Sequence, residues 1–180
     1  LMPKRAFQAL VRFLISVFVF FFLLEVMVRI ILPQKINPNL QAPAFGMSNA
    51  LLAGTDFTWI DHRHYPTYNI SINNKHLRSD REIPYDKSPG VFRILCLGDS
   101  VFFGSGVEFD ELFSSQLERL LNQEQQSKKY EVINASAPAW GLLEYYIYLK
   151  NEGYKYSPDL VVIGLSPDDL RQNYSEKIQF

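Results

Sequence analysis

An α/β fold with a parallel sheet, preceded by one membrane-spanning helix, is what this sequence predicts, and three observations carry the prediction. A long apolar stretch lies near the amino terminus. From residue 91 onward, short apolar runs alternate with segments of helical periodicity. Gly98-Asp99-Ser100 follows directly on the first of those runs. The order strand, helix, strand, helix, strand is that of a parallel sheet, whose strands, buried on both faces, read as continuous apolar runs.

The apolar stretch comes first. Phe13 to Leu24 are twelve consecutive uncharged residues, and the apolar character continues to Leu32, interrupted only by Glu25 and Arg29. Residues 13–32 are long enough for a helix to cross a hydrocarbon core of about 30 Å. Glu25 and Arg29 are four apart, so on a helix they share a face and pair. Pro33 then ends the helix. A cleaved signal peptide would show a shorter core followed at once by small residues, and the nearest small-x-small triplet, Ala42-Pro43-Ala44, is too far downstream. Lys4, Arg5 and Arg12 precede the core while Arg29 and Lys35 follow it. This bias predicts a cytoplasmic segment over 1–12 and a single-pass anchor over 13–32, in a cell's inner (cytoplasmic) membrane. The lipid bilayer is thus a partner, and the rest of the chain is extracytoplasmic.

Residues 33–90 read as an irregular stalk folded back on the domain. Turn-formers recur (Pro38, Pro43, Gly46, Gly54, Pro66, Pro84, Pro89, Gly90), with short extended pieces at Phe57–Ile60 and Tyr68–Ile72. His62 and His64 would share a face of a strand, but no third ligand accompanies them, so no metal is predicted.

The domain spans 91–180. Phe92–Leu97 is the first strand. Asp110 is placed to cap a helix whose Leu112, Phe113, Leu117, Leu120 and Leu121 recur at helical spacing. Tyr130–Asn134 is a second strand, a helix runs from about Leu142 to Asn151, and Leu160–Leu165 is a third strand. Cys96, the single cysteine, sits inside an apolar run and reads as a buried, inert thiol. Eighteen basic against nineteen acidic residues give a net charge of -1. That balance excludes a nucleic-acid partner, which would need a basic face. Ligands of parallel sheets bind beyond the carboxyl ends of the strands. Gly98–Ser100, Asn134–Gly141 and Ser166–Asp169 are therefore expected to converge.

Three blocks carry a family resemblance. Ile94-Leu95-Cys96-Leu97-Gly98-Asp99-Ser100 with Phe103-Gly104-Ser105-Gly106-Val107 resembles the first block of SGNH (GDSL-type) hydrolases. Val132-Ile133-Asn134-Ala135-Ser136-Ala137-Pro138 is similar to the second, and Pro158 to Gly164 leading to Asp168-Asp169 is similar to the third. Anchored members are familiar among bacteria. The resemblance implies a three-layer, flavodoxin-like sheet and a catalytic Ser100. It implies an oxyanion hole from the N–H groups of Ser100 and Ala139 (Gly141 as fallback) and from position 168. Gly98, Asp99 and Gly104 would shape the turn. No cofactor is implied.

The chain departs from the family pattern at two site residues, in its base and in its strand count. The family has glycine where Ala139 stands, a change that is harmless if φ there is negative. It has asparagine where Asp168 stands, and an ionised carboxylate has no proton to donate. The family's Asp-x-x-His base is missing, since His62, His64 and His76 all precede Ser100. Two of the usual five strands are missing too, which would leave the third strand an apolar edge. With Leu1 ahead of Met2, these features point to the front portion of a longer product, inactive by itself. The expected function is ester hydrolysis or O-acyl transfer on an acylated small molecule or glycan. The alternative is a non-catalytic, membrane-tethered remnant or interaction module. A nucleotide-binding domain is disfavoured, because the P-loop Lys and Ser/Thr are absent.

Overall fold

The computed structural model describes residues 3–31, 39–59, 67–123, 128–167 and 169. The chain divides into two units, one up to Ile36 and one from Asn37 onward.

The first unit is a single helix, α1 (Lys4–Ile31), with no buried residue. Twenty-eight residues at 1.5 Å each give about 42 Å, more than a hydrocarbon core requires. The helix is long and apolar enough to cross a membrane or to act as a signal sequence. It begins nine residues earlier than the predicted span, because Lys4–Arg12 also carry good helix formers. Arg29 Nε reaches Glu25 Oε1 at 2.8 Å, the pairing their spacing implies.

The second unit mixes helices and strands. Strands β5 (Val91–Leu97), β6 (Lys129–Asn134) and β7 (Leu160–Ile163) form a parallel sheet in the order β6-β5-β7. Strand side chains alternate between faces, and both faces here are covered. Ile94, Cys96, Val132 and Val162 pack under Leu117 and Leu121 of α3 (Phe113–Gln123). Leu95, Leu97, Ile133 and Val161 pack with Tyr145, Tyr148 and Leu149 of α4 (Leu142–Asn151). Cys96 is fully buried, and burial pushes its thiol up to about 12, consistent with an inert residue. The expected cap at Asp110 is corrected. Asp110 lies in a 3-10 turn (Phe109–Glu111), and α3 starts at Phe113, because a reciprocal Glu108–Glu111 capping box closes that turn first.

Residues 39–59 and 67–90 are not an irregular stalk. They hold two antiparallel hairpins, β1 (Gln41–Ala44) with β2 (Met47–Leu51) and β3 (Thr55–Trp59) with β4 (Tyr68–Ile72). Met47, Ala50, Leu51, Tyr68, Ile70, Ile72, Leu77 and Ile83 join the α4-side core. Burial of these residues makes the segment an integral layer of the domain. Ile60 and His62–His64 lie outside the described residues.

The two sheet edges differ. On β6, the Asn122 side chain accepts from Tyr130 N and donates to Tyr130 O, both at 2.9 Å, while Glu118 Oε2 accepts from Val132 N at 2.7 Å. Helix α3 thereby occupies backbone groups that an exposed edge would offer to another chain. On β7, Leu160 and Ile163 are exposed, as is Leu165 just beyond it.

The start of β7 is tied to β5 by charge. Asp159 Oδ2 accepts from Arg93 N, and Lys87 Nζ approaches both carboxylate oxygens, all at 2.7 Å. Lys87 first, and the Arg93 N–H second, hold the Asp159 carboxyl below its ordinary value of 3.8. A depressed folded-state value means that this stabilisation is present above the unfolded value and is lost as pH falls through the folded one. Asp159→Asn is therefore expected to flatten the fall in stability below about pH 4, measured by urea denaturation across pH.

Candidate functional site

The carboxyl ends of the three strands meet through the backbone. Ala135 N donates to Cys96 O and Ala137 N to Gly98 O, at 2.9 and 3.2 Å. On the other side, Gly164 N donates to Leu97 O at 2.8 Å. The Phe102 ring lies across these ends: a Cβ on Gly98 would stand 2.4 Å from Phe102 Cβ, and one on Gly164 2.0 Å from its ring. Asn134 secures the same residue, donating from Nδ2 to Phe102 O at 2.9 Å.

Ser100 opens a single helical turn, α2 (Ser100–Phe103). Asp99 caps it, its Oδ1 accepting from Val101 N at 2.9 Å, and Gly104 closes it at φ +85°. A serine at the first position of so short a helix is lifted out of the strand that precedes it. Ser100 is half-buried, and neither its hydroxyl nor its N–H has a partner among the described residues. The Ala139 N–H is likewise without a partner, whereas the Gly141 N–H is held by Glu144 Oε2 at 2.9 Å. The fallback Gly141 is thus committed to capping α4, whereas the N–H of Ala139, the first-named candidate, has no partner among the described residues. Asp168 lies outside the described residues.

One expectation about Ala139 is corrected: its φ is +62°. This left-handed backbone favours glycine and costs an L-residue about 1–2 kcal/mol. Ala139→Gly is therefore expected to stabilise the fold by roughly 1 kcal/mol, part of the strain relief being offset by glycine's freedom in the unfolded chain. Denaturant midpoints at an unchanged m-value would show it.

Several residues of the site were not singled out from sequence. Asp169 is buried, its Oδ2 accepting from Ser166 N at 2.7 Å and its Oδ1 from the Tyr145 hydroxyl at 3.2 Å. Burial pushes the Tyr145 phenol up, with Asp169 and then Asp99 adding to the effect, so it stays a neutral donor. The Ser136 and Ser166 hydroxyls are buried at the same strand ends and have no partner among the described residues. Periodicity reveals none of these pairings, because they join segments far apart in the chain. His76, the one histidine among the described residues, is engaged elsewhere: its Nδ1 lies 2.5 Å from Leu51 O. Among the described residues, no group of three or more His, Cys, Asp or Glu converges as a metal site would need.

No protein-family model, no curated protein and no solved structure matches this chain. The functional reading therefore rests on the site's chemistry. A hydroxyl and two amide N–H groups without partners among the described residues, in segments that follow adjacent parallel strands, are the groups acyl transfer uses: the hydroxyl attacks a carbonyl and amides receive the developing negative charge.

Proposed function

We propose that this protein is a membrane-anchored serine hydrolase of the SGNH type, with Ser100 as nucleophile and the N–H groups of Ser100 and Ala139 as oxyanion donors. The observation that carries the reading is that the Ser100 hydroxyl and the N–H groups of Ser100 and Ala139, in the segments that follow two adjacent parallel strands, have no partner among the described residues. The helix α1 supports a single-pass anchor, and the bias of Lys4, Arg5 and Arg12 towards its amino-terminal end supports an inner-membrane orientation with that end cytoplasmic and the domain outside. Helices on both faces of the sheet support the three-layer, flavodoxin-like architecture.

In this reading the Ser100 hydroxyl adds to an ester carbonyl, its proton passes to a base, and the alcohol leaves from a tetrahedral intermediate held by the two amides. Water, or a second alcohol in a transferase, then releases the acyl group. Each oxyanion donor is worth about 2.7–4 kcal/mol of transition-state stabilisation. A fluorophosphonate probe applied to the membrane-embedded product of the complete reading frame tests the proposal. Covalent label at Ser100, abolished by Ser100→Ala, is the expected result. A folded protein that takes no label at Ser100 overturns it.

A second reading, a non-catalytic tethered module, is favoured by the engagement of His76 with Leu51 O and by the carboxylate at position 168. Asp168→Asn separates the two: it is expected to raise turnover if the site is catalytic and to change nothing if it is not.

A further inference from the structure

Beside the turn that carries Ser100, a cavity of about 290 Å³ opens against the amino-terminal hairpins. Leu40, Trp59 and Tyr68 wall it from the hairpin side, and Phe103 and Pro138 from the sheet side. Phe103 closes α2, whose first residue is Ser100, and Pro138 immediately precedes Ala139. Ser105, on the rim, donates its N–H to Ser100 O at 3.1 Å. Ser100 itself does not line the cavity, which is placed to hold a group attached to the reacting bond.

The lining has a specific chemistry. None of its lining residues among the described ones is charged, so these residues would desolvate a phosphate or carboxylate without supplying a counter-charge. The floor is apolar and aromatic, with Phe103 and Tyr68 buried and Trp59 half-exposed. The rim is polar and preset. Asn39 Oδ1 accepts from Gln41 N at 3.1 Å, and Gln41 Nε2 donates to Pro138 O at 2.8 Å. These bonds leave Asn39 Nδ2 and Gln41 Oε1 unpaired, and Trp59 Nε1 and Ser105 Oγ also have no partner among the described residues. An acyl chain would bury those polar atoms unsatisfied, which is unfavourable. An uncharged sugar ring presents a C–H face to the half-exposed Trp59 and hydroxyls to the rim.

The geometry points to a subsite for one neutral saccharide ring, built by residues 39–41, 59 and 68 of the hairpins against the Ser100 turn. Its role in catalysis rests on the serine-hydrolase reading, whereas its binding does not. On that reading the substrate is an O-acylated neutral glycan, with the sugar on the alcohol side of the ester.

Tryptophan fluorescence of the full chain in detergent provides the test. Trp59 is half-exposed, whereas Trp140, the other tryptophan, is buried with its Nε1 on Asn49 O at 2.9 Å and serves as an internal reference. The probes are the β-1,4-linked trisaccharides of glucose, N-acetylglucosamine and mannose, with decanol as the acyl-chain competitor. At least one trisaccharide is expected to change the emission saturably, and Trp59→Phe to remove that change. By calorimetry, Gln41→Ala is expected to weaken binding about tenfold, the equivalent of one good hydrogen bond, and Ser105→Ala to act in the same direction. Ser100→Ala is expected to bind as wild type. The inference is overturned if no trisaccharide saturates the signal up to its solubility limit, if only decanol does so, or if Gln41→Ala and Ser105→Ala both bind as wild type. Fluorophosphonate labelling of the same samples keeps the two ideas apart: label without saccharide binding ends the subsite alone, and saccharide binding without label ends the hydrolase reading alone.

Discussion

Replacing Arg78 by alanine is expected to cost about 4 kcal/mol of folding free energy and to release the turn that presents Ser100. Arg78 is buried, and its guanidinium holds the carbonyls that end α2 and continue beyond it. Nη1 donates to Phe103 O at 2.8 Å and to Gly104 O at 2.6 Å, and Nη2 to Val107 O at 2.6 Å. Burial lowers the guanidinium to about 10, so it remains charged at neutral pH and its bonds are charge-assisted. Truncation removes the donors and leaves carbonyls buried without partners, and the second effect is the larger. A single ammonium cannot span the same set, so Arg78→Lys is expected to recover less than half of the loss. A parallel strap runs from Asn69, whose N–H and side-chain amide both reach Glu108 at 3.2 Å. That strap keeps β4 near the loop, so Arg78→Ala is expected to fold while losing order around residues 100–107. Urea denaturation gives the first quantity and amide exchange at residues 103–107 the second. A loss below about 1 kcal/mol, the range of an exposed arginine, would show that the guanidinium is not holding this turn.

The importance of Arg78 could not be read from the chain, and the reason is general. A charged residue has a solvent-facing default, and only long-range packing reveals that the carbonyls of Asn69, Phe103, Gly104 and Val107 converge on one guanidinium. The parallel sheet, by contrast, was legible because its signals are local: Phe92–Leu97, Tyr130–Asn134 and Leu160–Leu165 are short, mainly apolar runs separated by helical periods. The strands of the second hairpin were legible as extended pieces at Phe57–Ile60 and Tyr68–Ile72, but the pairing of both hairpins and the first one altogether stayed hidden, for two reasons. Their strands are four or five residues long, with Pro43 at a shift in register, so alternation is too short to count. Their first turn places Phe45 and Gly46 at φ +58° and +86°, a demand usually announced by Asn-Gly. The candidate site was partly legible for the same mixture of reasons. Asp99 and Gly104 mark a turn wherever they occur after a strand. The Tyr145–Asp169 hydrogen bond and the commitment of Gly141 to Glu144 exist only in three dimensions.

Gly104→Ala is expected to destabilise the protein by about 2–5 kcal/mol, for two reasons that can be separated. The first is conformational. Gly104 ends α2 at φ +85°, donating its N–H back to Val101 O at 3.1 Å, and an L-residue is strained there. The second is steric. A Cβ would stand 2.1 Å from Leu112 Cδ2, 3.0 Å from Arg78 Nη1 and 3.3 Å from Val107 Cγ2. Leu112 is fully buried, so its methyl has no free space to enter, and Arg78 is pinned by the carbonyls it holds. Gly90 separates the two terms, because its φ is +78° and nothing lies within 4 Å of an added Cβ. Gly90→Ala should therefore show the conformational cost alone, about 1 kcal/mol. If the two substitutions cost the same, Leu112 yields more readily than its burial implies, and the packing argument at the Ser100 turn fails. If Gly104→Ala costs more, the excess measures how tightly that turn is wedged between Leu112 and Arg78. Combining it with Arg78→Ala should then give less than the sum of the two losses, since both act on the same carbonyl and the same contact.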